Sequence, residues 1–177
     1  MRLRERLTIL VGAAVASVAA VTVVCGGVAF ASIPGAEIVS NRSSECVTAQ
    51  LSGTAIVQEQ CNDGPGQSWD FIGSPDNGNP AQIQNLDTGL CMDIQSFSNA
   101  APVVQVPCGQ QQIGSYWTRI SVGEREFPFV PTIRLKSPFA NYCLDLENGE
   151  TTIGLPMQVW QCNPNTNNQV WYTIVFV

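Results

Sequence analysis

The sequence contains no histidine, and only 12% of its 177 residues are charged. Without histidine, the commonest general base and a leading zinc ligand are both missing. No Gly-x-Ser-x-Gly turn for a nucleophile and no glycine-rich phosphate loop occurs. A glycosidase needs only two carboxylates, but nothing in the sequence pairs its acidic residues for that task. Catalysis is therefore not expected. Lysine and arginine together number 8, against 14 acidic residues. Nucleic acid is excluded as a partner, because a polyanion is bound by clustered cations.

Helical periodicity is also lacking. The apolar stretches are short and β-like: "AIVQ", "PVVQVP", "TIRLK" and "QVWYTIVFV", bounded by Gly, Pro, Asn and Asp. They predict an all-β barrel or sandwich. The one long apolar run lies at the start, after Arg2, Arg4 and Arg6, and ends in Ala29-Phe30-Ala31. This order reads as a secretory signal over residues 1–31, cut before Ser32. A retained membrane anchor is the competing reading, since the run is long enough to span. Cleavage would remove three arginines and Glu5, leaving 5 basic and 13 acidic residues and a net charge of −8. Residues 32–177 then form one secreted domain with no further candidate membrane span.

Seven cysteines become six in that domain, because Cys25 falls in the signal. An even set in an exported chain favours disulfides. Zinc fits poorly, with no Cys-x-x-Cys spacing and no histidine, so no metal or other cofactor is expected. Six cysteines allow fifteen pairings. Self-similarity narrows the choice. "ECVTAQLSGTAIVQEQCNDGPGQSW", "LCMDIQSFSNAAPVVQVPCGQQQIGSYW" and "YCLDLENGETTIGLPMQVWQCNPNTNNQVW" share an order of Cys, apolar run, second Cys and closing Trp. The repeats fall at about 36–75, 76–122 and 126–177. If each unit closes on itself, the bridges are Cys46–Cys61, Cys91–Cys108 and Cys143–Cys162. Three like units close a barrel about one axis, with Trp69, Trp117 and Trp171 pointing inward to a common core.

The three units, ending in Gln-Ser-Trp, Ser-Tyr-Trp and Gln-Val-Trp, resemble the ricin B-type lectin family, a β-trefoil of three subdomains with a repeated Gln-x-Trp. The resemblance implies carbohydrate binding, with galactose-type sugars the usual family preference. A family site combines an Asp two residues after the first Cys, a polar residue four before the second Cys, an aromatic two before it, and an Asn ahead of the closing Gln-x-Trp. The third unit has them all in Asp145, Gln158, Trp160, Asn168 and Gln169. The implied roles are stacking for Trp160, hydroxyl grip for Asp145 and Asn168, a further hydroxyl for Gln158, and orientation of Asp145 for Gln169. Asn148-Gly149 is expected to shape the wall beside Asp145.

The second unit keeps Asp93 but has Val104, Val106, Gly114 and Ser115 at the other positions. The first has Thr48, Val57, Glu59 and Gly66, keeping only Gln67 and Trp69. Neither is expected to bind. Asn41-Arg42-Ser43 fits a glycosylation acceptor. Between units two and three, Glu124, Arg125 and Glu126 read as a solvated loop, and Phe127 and Phe129 around Pro128 as either packing or a patch for a partner. The leading expectation is a secreted lectin that takes a glycan or polysaccharide at one site. The alternative is a non-catalytic, cell-binding or docking subunit of a toxin-like secreted complex, with the trefoil as a protein-interaction surface.

Overall fold

Each cysteine-containing unit folds into four short strands in the computed structural model, which describes residues 35–51, 53–73, 78–109, 112–126 and 129–175. The expected signal, residues 1–31, lies outside them. The first unit holds β1 (Ala36–Ser40), β2 (Cys46–Ala49), β3 (Ile56–Glu59) and β4 (Trp69–Ile72). The second holds β5 (Gln82–Asn85), β6 (Leu90–Ile94), β7 (Ala101–Pro107) and β8 (Thr118–Glu124). The third holds β9 (Pro131–Lys136), β10 (Tyr142–Asp145), β11 (Gln158–Gln161) and β12 (Trp171–Val175). No helix among the described residues is long and apolar enough to cross a membrane.

The turn between the first two strands of each unit has a chemical cause that repeats. Six residues before the first Cys stands a buried polar side chain whose oxygen accepts backbone N–H bonds from the turn. Ser40 Oγ accepts from Arg42 and Ser43, Asn85 Oδ1 from Asp87 and Thr88, and Ser137 Oγ from Phe139. These bonds reverse the chain and bring each first Cys alongside the strand before it.

Strand pairing closes the chain on itself. β1 pairs with β4 at Ala36–Trp69, β4 with β5, β5's flank with β8's at Ala81–Trp117, β8 with β9, β9 with β12, and β12 with β1 from Ala36–Val175 to Ser40–Trp171. A closed ring of six strands leaves no open edge. The remaining strands form three hairpins, β2–β3, β6–β7 and β10–β11. The hairpins meet one another through Gln158–Pro102, Ala55–Val104 and Val57–Pro156. This is a β-trefoil.

Trp69, Trp117 and Trp171 are buried in one cluster with Ile38, Ile83 and Leu135. Each indole N–H donates to the carbonyl of the residue after the first Cys of its own unit: Val47 at 2.8 Å, Met92 at 3.1 Å and Leu144 at 3.2 Å. A buried ring thus meets no unsatisfied polar atom. The disulfides join Cys46 to Cys61, Cys91 to Cys108 and Cys143 to Cys162, each with Cα atoms 5.0 Å apart. Each clasps one hairpin, a closed loop worth about 3 kcal/mol in the chain-entropy account.

Two buried glutamines that nothing in the repeat pattern singles out join the units. Gln58 donates to the carbonyls of Glu150 (3.2 Å) and Thr152 (2.7 Å) in the third unit and accepts from Ser43 Oγ. Gln105 does the same from the second unit to the first, donating to Gln50 and Gly53 and accepting from Thr88 Oγ1. The third unit has Val159 at this position, fully buried.

Arg125 departs from the solvated loop expected of it. Its guanidinium lies 4.6 Å over the Tyr172 ring on β12 and donates to Ser44 Oγ in the turn after β1. Phe129 is 83% exposed, and Phe127 and Pro128 lie outside the described residues.

The tryptophans divide into two classes with separable stability effects. Alanine at Trp69, Trp117 or Trp171 is expected to cost about 3–5 kcal/mol in urea unfolding, the range for a large buried ring. Alanine at Trp160, which is 42% exposed, is expected to stay within about 1 kcal/mol of the parent. Non-reducing peptide mapping should recover the three within-unit bridges and none between units.

Candidate functional site

Antiparallel register sets the core of the site. Asp145, the last residue of β10, faces Gln158 on β11, and Cys143 faces Trp160. Alternation along β11 then puts Gln158 and Trp160 on one face. Val159, between them, turns inward to the core. Asp145 is buried, with Oδ1 accepting from Gln158 Nε2 and Oδ2 from Gln169 Nε2, both at 3.0 Å. Burial pushes its pKa above the usual 3.8, while the Gln158 and Gln169 bonds pull it back.

Gln169 has little freedom to choose another arrangement. Its Nε2 also donates to the Gln161 carbonyl at 3.1 Å, and its Oε1 accepts the Asn163 N–H at 2.9 Å. These contacts fix which end of the amide faces Asp145. Asn168 is placed by its backbone, whose carbonyl accepts from Leu146 and whose N–H bonds Thr166 Oγ1. The Asn148-Gly149 turn lies directly against it. A Cβ on Gly149, at φ +69°, would fall 2.5 Å from Asn168 Oδ1, so glycine is needed for both space and conformation.

Asp145, Gln158, Trp160, Asn168 and Gln169 line one open cavity of about 150 Å³, together with Asn148 and Thr166. The half-exposed Trp160 ring supplies an apolar wall, and the carboxylate lies at the buried end. An ionised carboxylate has about four acceptor positions, and two here are taken by protein amides. The others remain for donors of a ligand. Gln158 has a further role beside the implied one. Its Nε2 donates to Asp145 and so helps to orient the carboxylate, while the residue still lines the cavity.

The cavity wall is braced from outside its own unit. Arg42 Nε donates to the Gly149 carbonyl at 3.3 Å, and Gln58 holds the backbone at Glu150, Thr152 and Gly154. These contacts span more than ninety positions of sequence, and no motif in either unit announces them.

The other two units show why equal folds give unequal sites. In the first, Gln67 keeps the frame, donating to the Gln60 carbonyl and accepting from Asn62 N–H, but it meets the Thr48 hydroxyl instead of a carboxylate. Gly66 packs where a Cβ would fall 2.4 Å from the Ala49 carbonyl oxygen. In the second, Asp93 is buried and accepts from Ser115 Oγ. Burial raises its pKa and the Ser115 bond lowers it. The short 3-10 turn Ile113–Ser115 closes over it, with a Gly114 Cβ position only 3.0 Å from Asp93 Oδ1. Its carboxylate is buried, and Val106 stands where the third unit has the aromatic ring.

Comparison with known proteins follows the same line. Among solved structures, the designed 3-fold symmetric protein ThreeFoil is similar at 19% identity and a TM-score of 0.68, covering 78% of this chain and 96% of that one. A Macrolepiota procera ricin B-like lectin, solved with lactose, is similar at 23% identity and a TM-score of 0.61, covering 78% and 93%. An exo-beta-1,3-galactanase from Clostridium thermocellum is similar at 17% identity and a TM-score of 0.69, covering 81% of this chain but 30% of that one. These likenesses are of fold. No curated protein sequence gives a significant match. The family model for the ricin-type beta-trefoil lectin domain matches residues 34–171, and the chain belongs to that family of carbohydrate-binding domains.

Proposed function

We propose that the protein is a secreted, non-catalytic lectin that binds one galactose-type or related sugar residue in the third-unit cavity without a metal. The observation that carries this reading is a buried carboxylate, aimed by two amides, beneath a half-exposed indole. A pyranose has one face rich in C–H bonds, which stacks on an aromatic ring, and edge hydroxyls that donate to a carboxylate. Asn168 lines the same cavity as Asp145 and would offer a donor to the same pair of hydroxyls. A monosaccharide has roughly 12 non-hydrogen atoms, and at about −0.3 kcal/mol each this gives about −4 kcal/mol, or roughly millimolar dissociation. Binding this weak gains from further attachment, so polysaccharide or clustered glycans are the natural ligands. A docking subunit of a secreted complex is the second reading, favoured by the 83% exposure of Phe129 beside the charged turn at Glu124 and Glu126.

Titration of residues 32–177 with a galactose-rich glycan panel and soluble xylan, beside Trp160→Ala, tests the leading reading. The parent should bind and the folded variant should lose at least tenfold in affinity. Since the other three tryptophans are buried, ligand should also protect the parent's fluorescence from acrylamide. Absence of binding by the folded parent would favour the docking reading.

Acid should weaken binding in a defined direction. Burial raises the Asp145 pKa above 3.8, and hydroxyl donors favour the ionised form, so affinity is flat near neutrality and falls on acidification before the usual carboxylate range. The same shift acts oppositely on folding: the native state holds this proton more tightly, so the Asp145 contribution to stability declines as pH rises from the unfolded pKa through the native one. Calorimetric titration across pH 7 to 4 reads the first effect. Asp145→Asn should abolish binding, because an amide N–H₂ would face the donor groups of Gln158 or Gln169. Gln58→Leu should lower affinity several-fold with Trp160 intact, by releasing the wall at Glu150 and Thr152.

A further inference from the structure

One position of the fold takes a different side chain in each unit. Nine residues before the first Cys, two units carry Glu37 and Gln82; the strand equivalent in the third is Arg134, just after Ile133, which pairs with Trp171 as Ala36 pairs with Trp69. All three face the segment that follows the second Cys. Arg134 donates to the carbonyls of Pro164 and Thr166, and Gln82 Oε1 accepts the Gly109 N–H. Glu37 faces Asp63 instead, so the first unit puts an acid where the third puts a cation.

Glu37 is 3% exposed, and its Oε1 is buried with no hydrogen-bond partner. It lines a cavity of about 60 Å³ with Gly35, Asp63, Gly64, Gln67 and Ser68, none of them basic. Burial raises its pKa, the Asp63 charge raises it further, and the Asp63 backbone N–H lowers it. The Cys46 and Cys61 sulfurs lie within 4.8 Å of it, but they are joined as a disulfide and offer no thiolate. Gln67 is committed to Asn62, Thr48 and Gln60. Apart from the Asp63 N–H that bonds Glu37, the side chains left at the cavity carry oxygen: the Glu37 and Asp63 carboxylates and the Ser68 hydroxyl.

A buried carboxylate oxygen with no partner is costly unless a positive charge meets it. Hard cations with all-oxygen coordination suit such a set. We propose that this cavity, between β1 and the Asp63–Gly64 turn, is a cation site of the calcium type, with Glu37 as the buried ligand and Asp63 as the solvent-side one. It shares no lining residue with the third-unit cavity, so it is structural and independent of glycan binding. A bound cation would fasten the turn after Cys61 to β1, the strand that closes the barrel on β12.

Thermal unfolding of the purified protein at pH 7 tests it, in millimolar calcium chloride against sodium chloride of equal ionic strength. Calcium binding the native state alone should raise the midpoint by a few degrees. Glu37→Gln should remove the shift and Asp63→Asn, at an exposed residue, should reduce it. Terbium luminescence should titrate in the parent and weaken in Asp63→Asn, which keeps the test open if Glu37→Gln does not fold. No calcium-dependent shift in the parent, or the same shift in all variants, would overturn the proposal. Stability that rises on acidification with no response to calcium would also overturn it and assign the Glu37 charge to a proton.

Discussion

Three buried indoles, each tied by its N–H to the carbonyl after a cysteine, are the constraint on which the molecule rests. A tryptophan in the core needs both a large apolar neighbourhood and one acceptor. The hairpin of the same unit supplies that acceptor, so each ring couples its barrel strand to its own disulfide-clasped hairpin. With three units obeying the same rule, the rings share one core cluster and the six barrel strands close. The turn oxygens of Ser40, Asn85 and Ser137 keep the geometry equal from unit to unit.

Equal frames then allow unequal chemistry. Gln67 and Gln169 make the same pair of backbone contacts in different units, yet one ends on a hydroxyl and the other on a carboxylate. In the second unit the carboxylate survives, but the loss of an amide-bearing pair lets Gly114 and Ser115 fold onto it. A sugar-type site therefore needs more than its acid. It needs the loop held open by Gly149 against Asn168 and an exposed ring opposite. The first unit, with a hydroxyl where the third has a carboxylate, holds that loop through Arg42 and Gln58.

Much of this was legible in the residues. The cysteine spacing indicated three units, short β-type runs indicated strands, and the closing tryptophans indicated an inward ring from each. The five residues from Asp145 to Gln169 were legible as a set through the family resemblance, because the third unit matches the whole pattern while the second keeps only Asp93 of it and the first only Gln67. What was not legible has a common physical origin. Gln58, Gln105 and Arg42 act on backbone carbonyls of another unit, and carbonyls carry no side-chain signature. Arg125 read as a solvated charge because its partner, Tyr172, is reached only after the barrel closes.

The sequence by itself determined the strand-forming runs, the cysteine-bounded units and the residue types of the third site. These depend on neighbours within about twenty positions, where spacing is a sufficient guide. Only the tertiary structure decided that Gln158 points at Asp145, that the first unit braces the third, and that one oxygen of Glu37 is buried without a partner. Those outcomes depend on strand register and on barrel closure, which bring distant segments within hydrogen-bond reach and remove water from between them.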